Sequence, residues 1–329
     1  MANIRQHSAA QRREQKRQQR LRTNSQNNRN RNANKRRRKN NPWPLIIGIV
    51  VVVVVAIGIF VYLSNRQNAN VTVGQNTAYQ SIASIDPKLL ATVGPGNATN
   101  LMKPIKNGGK LTGATGRPEF LYMGAEYCPY CAAERWGVII ALNRFGHFAK
   151  APPPLISGED SLPTFSFHGA KYTSQYIDTS LVEINDNTWP NPQPLDKPTA
   201  QEQQLFNKYD APPYVTPQNA DGIPFIDIAN QQVSSGAYYD FTLLKGKNYQ
   251  QIVSQIKDPN NDISRGMLGT ANYLTAAICA STNNQPANVC TASPIPAMQS
   301  SLPKASVAPD GPQLAAAVGS DVMDVRKHG

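Results

Sequence analysis

A long apolar run lies near the N-terminus of the chain. Residues 45–63 are 19 consecutive positions without a charged or amide side chain. As an α-helix that rises about 1.5 Å per residue, this run would span roughly 28 Å, which matches the hydrocarbon core of a bilayer. Trp43 and Tyr62 stand near its two ends, where amphipathic aromatic side chains favour the membrane interface. The pattern predicts one transmembrane helix within residues 42–64.

A buried core helix and a cleaved signal peptide are the alternatives to this anchor. A core helix normally keeps a polar face, which the run lacks. The apolar part of a signal peptide is usually about 7 to 15 residues long, and no convincing small-residue cleavage motif follows the run. We therefore favour an uncleaved signal anchor.

Shorter apolar segments follow, and they alternate between strand-like and helix-like spacing. The predicted strands cover residues 119–125, 164–167, 177–184 and 222–228. The predicted helices cover residues 79–93, 132–148, 199–209, 249–257 and 262–279. This alternation predicts an α/β domain over residues 79–293. A polar linker over residues 65–78 would precede the domain, and a disordered tail over residues 294–329 would follow it.

The charge of the chain is concentrated in its first 41 residues. The whole chain has a formal net charge of +12 at pH 7. Residues 1–41 contain 11 Arg and 3 Lys against the single acid Glu14, which gives +13 and leaves −1 for all the other residues. A stretch this polar cannot bury enough apolar surface to fold, so we predict a disordered basic arm. The high net charge therefore does not indicate that the protein as a whole binds nucleic acid.

The same charges predict the orientation of the anchor. Fourteen Lys and Arg residues precede the apolar run, whereas Arg66 alone follows it within about twenty positions. The positive-inside bias then places the N-terminus in the cytoplasm and the chain from Ser64 onward outside the cell membrane. The basic cluster Lys35–Lys39 is expected to bind anionic lipid head groups. The arm has no aromatic residues for stacking on bases, so we expect no nucleic-acid partner.

Four cysteines belong to the extracytoplasmic part, where thiols tend to be oxidised. Four cysteines allow three pairings. Proximity in the sequence favours Cys128 with Cys131 and Cys279 with Cys290. Cys279 and Cys290 flank a polar loop, and a structural disulfide that closes it would stabilise the domain by about 3 kcal/mol.

Cys128 and Cys131 have the spacing of a redox-active pair. They follow the strand predicted over residues 119–125 and stand at the start of a predicted helix. The positive end of the helix dipole would stabilise the thiolate of Cys128 and lower its pKa. Cys131, one turn further on, could then attack a mixed disulfide formed by Cys128 and release the partner. An inert structural disulfide is the alternative.

Zinc binding is a further alternative, because a CxxC pair often supplies half of a tetrahedral site. A second such pair is missing, and only His147 and His168 could complete a set. The sequence near the CxxC pair also lacks the Met or His cluster typical of copper handling. We predict no metal site and no cofactor other than the redox-active disulfide.

The residues around the CPYC motif resemble the thioredoxin superfamily. The pattern is a strand, Ala125-Glu126-Tyr127-Cys128-Pro129-Tyr130-Cys131, a helix, and later Gly222-Ile223-Pro224 at the start of a strand. The Pro-Tyr dipeptide between the cysteines is that of glutaredoxins. More closely, the chain from about Tyr79 to Thr291 is similar to a family of membrane-anchored archaeal and bacterial proteins of unknown function with a thioredoxin-like domain.

This resemblance implies a fold and a role for several residues. The implied fold is thioredoxin-like α/β, a central mixed sheet flanked by helices. Pro224 would be a cis-proline that packs against the CxxC motif and holds a substrate strand. The implied substrate-binding residues are Tyr127, Pro129, Tyr130 and Ile223.

The chain departs from that superfamily at two places. Tyr122 replaces the buried acid on the strand before the first cysteine, and Glu126 is a nearby carboxylate. The 93 positions from Cys131 to Pro224 exceed what a minimal thioredoxin fold needs. We therefore predict that residues 149–221 are an insertion that shapes a substrate groove.

Together these patterns predict a membrane-tethered, extracytoplasmic thiol-disulfide oxidoreductase that acts on protein thiols and disulfides. Cys128 is the expected nucleophile and Cys131 the resolving thiol. The alternative is a non-catalytic, thioredoxin-like binding module of the cell envelope whose two disulfides only hold its shape, and a metal-handling protein is a third hypothesis. Sequence motifs of hydrolases and phosphate-binding loops are absent.

Overall fold

The computed structural model describes residues 13–22, 48, 52–59 and 77–306, together with the backbone of residues 314–315. The chain divides into two units, Met1–Gln67 and Asn68–Gly329. In the first unit the described residues are helical and their side chains are exposed. The rest of the basic arm and of the predicted anchor, and the linker up to residue 76, lie outside the described residues. Within the described part of the chain, no helix is both long enough and apolar enough to cross a membrane.

Residues 13–22 are helical within the basic arm that the sequence predicts to be disordered, and the rest of that arm lies outside the described residues. This stretch consists of Arg, Gln, Glu, Lys and Leu, whose side chains lose little freedom in a helix. Because its side chains are exposed, the helix follows from local propensity and not from burial.

Strands and helices of the second unit are numbered along the chain. The strands are β1 Lys103–Pro104, β2 Leu111–Thr112, β3 Glu119–Gly124, β4 Gly146–Lys150, β5 Pro154–Ile156, β6 Pro163–Phe165, β7 Lys171–Ser174, β8 Asp178–Glu183, β9 Phe225–Ile228, β10 Gln232–Ser235 and β11 Leu314–Ala315. The helices are α1 Pro87–Val93, α2 Pro129–Leu142, α3 Ala200–Tyr209, α4 Tyr249–Ile256, α5 Asp262–Ser281, α6 Ala287–Cys290 and α7 Ile295–Ser301, and residues 77–83 are also helical.

The central sheet has the strand order β1-β10-β9-β3-β8. β3 and β8 are parallel, with Gly124 opposite Glu183, and the other neighbouring pairs are antiparallel. Because α2 lies between β3 and β8 along the chain, these three elements form a βαβ unit. The pairs β2 with β11, β4 with β7 and β5 with β6 lie outside this sheet. The fold is therefore mixed α/β with a central mixed sheet flanked by helices, as predicted.

β3 lies in the middle of the core, because all six of its residues are buried. Alternate side chains of a strand point to opposite faces of its sheet. Phe120 and Tyr122 belong to a large apolar cluster with residues of α2 and α5, whereas Leu121 and Met123 belong to a second cluster with residues of α3. Helices therefore cover both faces of the sheet at β3.

The helix predicted over residues 79–93 is divided in the structure. Residues 77–83 are helical, and α1 begins separately at Pro87. The side chain of Asp86 accepts a hydrogen bond from the backbone N–H of Lys88 and caps α1. The division has a physical reason, since proline disrupts a helix interior but is suited to the first turn.

The helix predicted over residues 132–148 has different bounds. α2 begins at Pro129 and ends at Leu142, and the chain enters β4 at Gly146. Gly146 lies so close to the carbonyl oxygen of Thr173 that a side chain at this position would collide with it. This close pairing with β7 explains why the last predicted residues are a strand.

The prediction that residues 149–221 are an insertion is wrong for part of that range. It contains β8, which is the parallel neighbour of β3 in the central sheet, and α3, which covers the second apolar cluster. The elements outside the central fold are β5 to β7 and the loop between β8 and α3. The distance in sequence from Cys131 to Pro224 could not show which intervening segments enter the sheet.

The end of α5 is tied to α6 by a disulfide between Cys279 and Cys290. Both cysteines are buried in the large apolar cluster. This is the pairing that their proximity in the sequence favoured.

Residues 294–306 are ordered, which corrects the prediction of a disordered tail from residue 294. α7 packs against α5, and Ile295, Met298 and Leu302 are buried in the large apolar cluster. Their spacing is that of the apolar face of a helix, which the surrounding prolines obscured in the sequence. Apart from the short strand β11, residues 307–329 lie outside the described residues.

We expect Ile295→Ala to lower the free energy of unfolding by about 2–5 kcal/mol, because the fully buried side chain would leave a cavity. Denaturant unfolding of the full chain in detergent measures this. Ser300→Ala is the matched control on the exposed side of α7, and its effect should stay within about 0.5 kcal/mol. If both variants are as stable as wild type, α7 does not contribute to the core.

Candidate active site

The loop between β3 and α2 places the two cysteines of the CPYC motif. β3 ends at Gly124, and the chain turns through residues 125–127 to Cys128, which is the N-cap of α2. Its backbone is extended, with φ −72° and ψ 127°, as is typical of an N-cap. The Sγ atom of Cys128 accepts a hydrogen bond from the backbone N–H of Cys131 at 3.3 Å. Pro129 fills the first helical position, where its missing N–H leaves no hydrogen bond unmade.

The two thiols differ in accessibility. Both cysteines are free thiols in the structure. Cys128 is 5% exposed, whereas Cys131 is fully buried. Cys128 is therefore the more exposed of the two cysteines.

The two thiols also differ in acidity. A hydrogen bond from the Cys131 side chain lowers the pKa of Cys128, although burial opposes this. The backbone N–H groups of Cys131 and Tyr130 and the charge of Arg135 also lower the Cys128 pKa. Burial raises the pKa of Cys131 well above its ordinary value, and the neighbouring sulfur of Cys128 raises it further. The pair thus favours a thiolate at Cys128 and a thiol at Cys131.

The turn before β9 brings a third segment to the cysteines. The Ile223–Pro224 peptide bond is cis. The thiol of Cys128 contacts the carbonyl oxygen of Ile223, with 3.7 Å between sulfur and oxygen. The carbonyl oxygen of Pro224 accepts the backbone N–H of Gly236 at 2.8 Å, which fixes the turn to the end of β10. The structure therefore places Ile223 and Pro224 next to the CPYC motif.

A buried ion pair adjoins the same motif. Arg135 is one turn after Cys131 on α2, and Glu183 is the last residue of β8. The Nε and Nη2 atoms of Arg135 donate to the two carboxylate oxygens of Glu183 at 2.8 and 2.7 Å, and both side chains are fully buried. Nη2 also donates to the carbonyl oxygen of Ala125 at 2.5 Å. The pair thus joins the helix, the second parallel strand and the loop that leads to Cys128.

Aromatic side chains flank Cys128. Trp189, from the loop between β8 and α3, stacks on Tyr127 with 5.3 Å between ring centroids. Phe241 makes an edge contact with Tyr130 at 4.7 Å. Tyr130 and Trp189 are 50% and 47% exposed. We call Tyr127, Tyr130, Trp189 and Phe241 the aromatic rim.

Tyr122 and Glu126 do not place a carboxylate beside Cys131. Tyr122 is fully buried with its ring 4.9 Å from that of Phe167, and burial raises its pKa well above the ordinary value. Glu126 is directed to Ser166, whose hydroxyl donates a hydrogen bond to Oε1 of Glu126. Neither Tyr122 nor Glu126 therefore supplies the buried carboxylate that the resemblance to the thioredoxin superfamily would imply on this strand.

The two histidines considered as metal ligands belong to different segments of the chain. Nδ1 of His168 contacts a carboxylate oxygen of Asp196 at 2.7 Å, and His147 is exposed on β4. Across the described ranges, no group of three or more His, Cys, Asp and Glu side chains is arranged to hold a metal ion.

Sequence reasoning missed Arg135, Glu183 and Trp189. The sequence does contain an indication for Arg135, because a charged residue in a helix that is apolar on most sides must find a partner inside the protein. Glu183 ends a predicted strand, but nothing in the sequence pairs it with a residue 48 positions earlier. Trp189 lies in a loop rich in Asn and Pro, where no pattern indicates its partner.

In a comparison with known proteins, one family model matches the chain. A family model described as a domain of unknown function, DUF929, matches residues 103–280, from β1 almost to the end of α5. The matched range contains both cysteines of the CPYC motif, the Pro224 turn and the buried ion pair. No curated protein and no solved structure matches the chain.

We expect Cys128 to react as a thiolate at a lower pH than an ordinary thiol. Its alkylation by iodoacetamide should follow a titration with a midpoint below about 8.5, the usual value for cysteine, because the Cys131 hydrogen bond and the helix N-terminus stabilise the thiolate. Mass spectrometry of the Cys128 peptide from the reduced full chain measures the rate at each pH. Cys131→Ala removes the side-chain hydrogen bond and should move the midpoint upward. A wild-type midpoint at or above the ordinary value would contradict the geometry described for Cys128.

Proposed function

The chain belongs to the DUF929 family, whose description assigns no activity, and we propose that it is a thiol-disulfide oxidoreductase acting on protein thiols and disulfides. The supporting observation is the position of Cys128. Its Sγ caps α2 by accepting the N–H of Cys131, Cys128 is the more exposed of the two cysteines, and the second thiol lies buried one turn away. This is the arrangement that thiol-disulfide exchange requires.

The proposed reaction passes through a mixed disulfide. The thiolate of Cys128 attacks one sulfur of a substrate disulfide, the substrate S–S bond breaks, and the other substrate sulfur leaves as a thiolate. Cys131 then loses its proton and attacks Sγ of Cys128, which releases the first substrate sulfur. The substrate gains two electrons, and Cys128 and Cys131 lose two as they form a disulfide. The reverse sequence oxidises a substrate dithiol, and neither direction needs a further cofactor.

We propose a thioredoxin-like assignment for the domain. The helix that begins with the CxxC motif lies in a βαβ unit with the parallel strands β3 and β8, a context typical of thioredoxin-like redox motifs. The cis-proline turn at Pro224 contacts Cys128 through Ile223, as the resemblance in the sequence implies. On this proposal, the turn holds an extended substrate segment beside Cys128.

The aromatic rim is proposed to bind the substrate polypeptide, together with Pro129 and Ile223. Two of the three exposed large apolar side chains described between residues 77 and 306 belong to the rim, which concentrates exposed apolar surface at the reactive sulfur. Tyr and Trp provide large and rigid contact areas and are common at binding hot spots. A polypeptide with apolar side chains next to its cysteine fits such a surface.

Cys131→Ser should accumulate partner proteins as mixed disulfides through Cys128. The variant keeps the nucleophile but lacks the thiol that would release the partner, so the intermediate persists. Non-reducing electrophoresis and mass spectrometry of the purified full chain from cells measure these adducts, which a reductant should abolish.

Two variants control the trapping experiment. Cys128→Ser/Cys131→Ser should trap nothing, and Trp189→Ala added to Cys131→Ser should reduce the trapped amount about fivefold if the rim binds substrate. If Cys131→Ser forms no adducts through Cys128, the oxidoreductase proposal fails, and the non-catalytic binding module is the better reading of the fold.

We also propose that residues 42–64 anchor the domain at the outer face of the cell membrane. The apolar run at residues 45–63 and the basic residues before it support an anchor with a cytoplasmic N-terminus. The family match begins well after the run, at residue 103, so the domain and the anchor are separate parts of the chain. The cluster Lys35–Lys39 would then meet anionic lipid head groups on the cytoplasmic side.

This orientation predicts that Cys128 is accessible from outside intact cells. After treatment with a membrane-impermeant reductant, a membrane-impermeant maleimide should label Cys128, as detected by mass spectrometry. In a Cys128→Ala/Cys131→Ala background, a cysteine introduced by Ser25→Cys should be labelled only after the cells are lysed. Labelling of the Ser25→Cys variant in intact cells, with none at Cys128, would reverse the proposed orientation.

A further inference from the structure

Arg135 places a permanent positive charge inside the domain, beside the cysteines. A guanidinium group does not lose its proton in proteins, and this side chain is fully buried. Taking an ion out of water costs several kcal/mol, which its partners must offset. Nε and Nη2 have partners in Glu183 and Ala125, whereas Nη1 has no hydrogen-bond partner among the described residues. The positive charge also acts on both cysteines, since it lowers the pKa of Cys128 and of Cys131.

Ala125 connects this charge to both cysteines. Its carbonyl oxygen accepts Nη2 of Arg135 at 2.5 Å and the backbone N–H of Cys128 at 3.2 Å. The backbone of Ala125 also lowers the pKa of Cys131, against the larger effect of burial, which raises it. One carbonyl group thus bonds both the guanidinium group of Arg135 and the backbone of Cys128.

The counterion is held by groups away from the cysteines. Oε1 of Glu183 also accepts the backbone N–H of Phe167 at 3.1 Å. Tyr122 on β3 is an electrostatic neighbour of both residues, and it is uncharged at neutral pH because its ordinary pKa is about 10 and burial raises that pKa further. The Cys131 hydrogen bond lowers the Cys128 pKa most and the Arg135 charge lowers it further, while burial raises the Cys131 pKa against the same charge. At the sulfurs, the pair of Arg135 and Glu183 therefore acts as a cation.

We propose that Arg135, a positioning residue with Glu183 as its counterion, makes the Cys128–Cys131 disulfide an oxidant of paired thiols in substrate proteins. The cation and the helix N-terminus stabilise the thiolate that exists only after the pair has been reduced. A site that stabilises its reduced form gives up its disulfide readily. This inference rests on the proposed oxidoreductase activity and adds its direction.

The proposed oxidation of a substrate dithiol consists of two thiol-disulfide exchanges. A substrate thiolate attacks Sγ of Cys128 in the disulfide, the bond to Cys131 breaks, and Cys131 leaves with the electron pair and takes up a proton. A second substrate thiolate attacks the substrate sulfur of the mixed disulfide, and Cys128 leaves as the thiolate. The substrate loses two electrons and gains a disulfide, and the protein gains two electrons and two thiol groups, one of them ionised.

The test is equilibration of the full chain in detergent with reduced and oxidised glutathione, read by alkylation and mass spectrometry of Cys128 and Cys131. Glu183→Gln keeps an acceptor oxygen but leaves Arg135 without its counterion, so the equilibrium should shift about tenfold toward the reduced pair. The double variant Arg135→Met/Glu183→Leu removes both charges and should shift it about threefold or more toward the disulfide. At the ratio of reduced to oxidised glutathione that reduces half of the wild-type protein at Cys128 and Cys131, Glu183→Gln should be mostly reduced and the double variant should be mostly oxidised.

The two variants are expected to shift the redox equilibrium in opposite directions, which distinguishes an electrostatic role of the ion pair from a structural one. A mere packing defect would move both variants in the same direction, and that result, or shifts below about twofold, would overturn the inference. Apolar replacement of a buried ion pair is usually tolerated, so the double variant decides the question if Glu183→Gln does not fold. Arg144→Met is the matched control, because this Arg follows α2 at its other end and bonds Asn272 and Thr275 instead. It should leave the equilibrium unchanged.

A second experiment measures the direction of electron transfer between the protein and a substrate. The oxidised full chain, mixed with a synthetic peptide that contains two cysteines, should convert the peptide dithiol to its disulfide, and the reduced chain should leave the oxidised peptide largely unchanged. The reverse preference would overturn the inference while the oxidoreductase proposal stands. If Cys128 exchanges with neither glutathione nor the peptide, the oxidoreductase proposal fails as well.

Discussion

The burial of α2 is the constraint on which the rest of the domain depends. Thirteen of its fourteen residues are buried, so its polar groups must find partners inside the protein. The indole N–H of Trp136 donates to the carbonyl oxygen of Pro163 at 3.0 Å, and the hydroxyl of Tyr239 donates to that of Ala133 at 2.8 Å. These partners come from β6 and from the segment after β10, which lie in different parts of the sequence. Elements added around the central sheet thus complete the surroundings of the helix that begins with Cys128.

The same burial explains how two adjacent ionisable residues of α2 are accommodated differently. Burial raises the pKa of Glu134 to about 8, so this carboxyl group is mostly uncharged at neutral pH, and its Oε2 accepts the backbone N–H of Tyr238 at 3.2 Å. Arg135 has no neutral form within reach and requires a counterion. Burial raises the pKa of Glu183, and the Arg135 charge opposes that rise and favours the carboxylate. A full charge is therefore retained in this helix at the position next to the cysteines, where a counterion is provided.

Local signals in the sequence predicted the elements nearest to the site. Contiguous apolar runs predicted β3 and a strand over residues 222–228 that contains β9, and the apolar segment after the cysteines predicted most of α2, because the determinants of each lie within a few residues. The ion pair between Arg135 and Glu183 depends on which later segment becomes the neighbour of β3, and that pairing is non-local. The stacking of Trp189 on Tyr127 and the place of β8 in the central sheet could not be predicted for the same reason, since both are non-local contacts.

The contact between Cys128 and Ile223 couples the charge of the nucleophile to the binding of a substrate in the proposed reaction. In the thiol form, Cys128 can donate to the carbonyl oxygen of Ile223, 3.7 Å away. A thiolate has no proton to donate, so ionisation leaves this oxygen without that partner while the N–H of Cys131 continues to stabilise the sulfur. The free carbonyl oxygen can then accept a backbone N–H from an extended substrate segment beside the reacting sulfur. The ionisation that activates Cys128 therefore also opens the acceptor that would align the substrate, and both changes take place at one point of contact between α2 and the Pro224 turn.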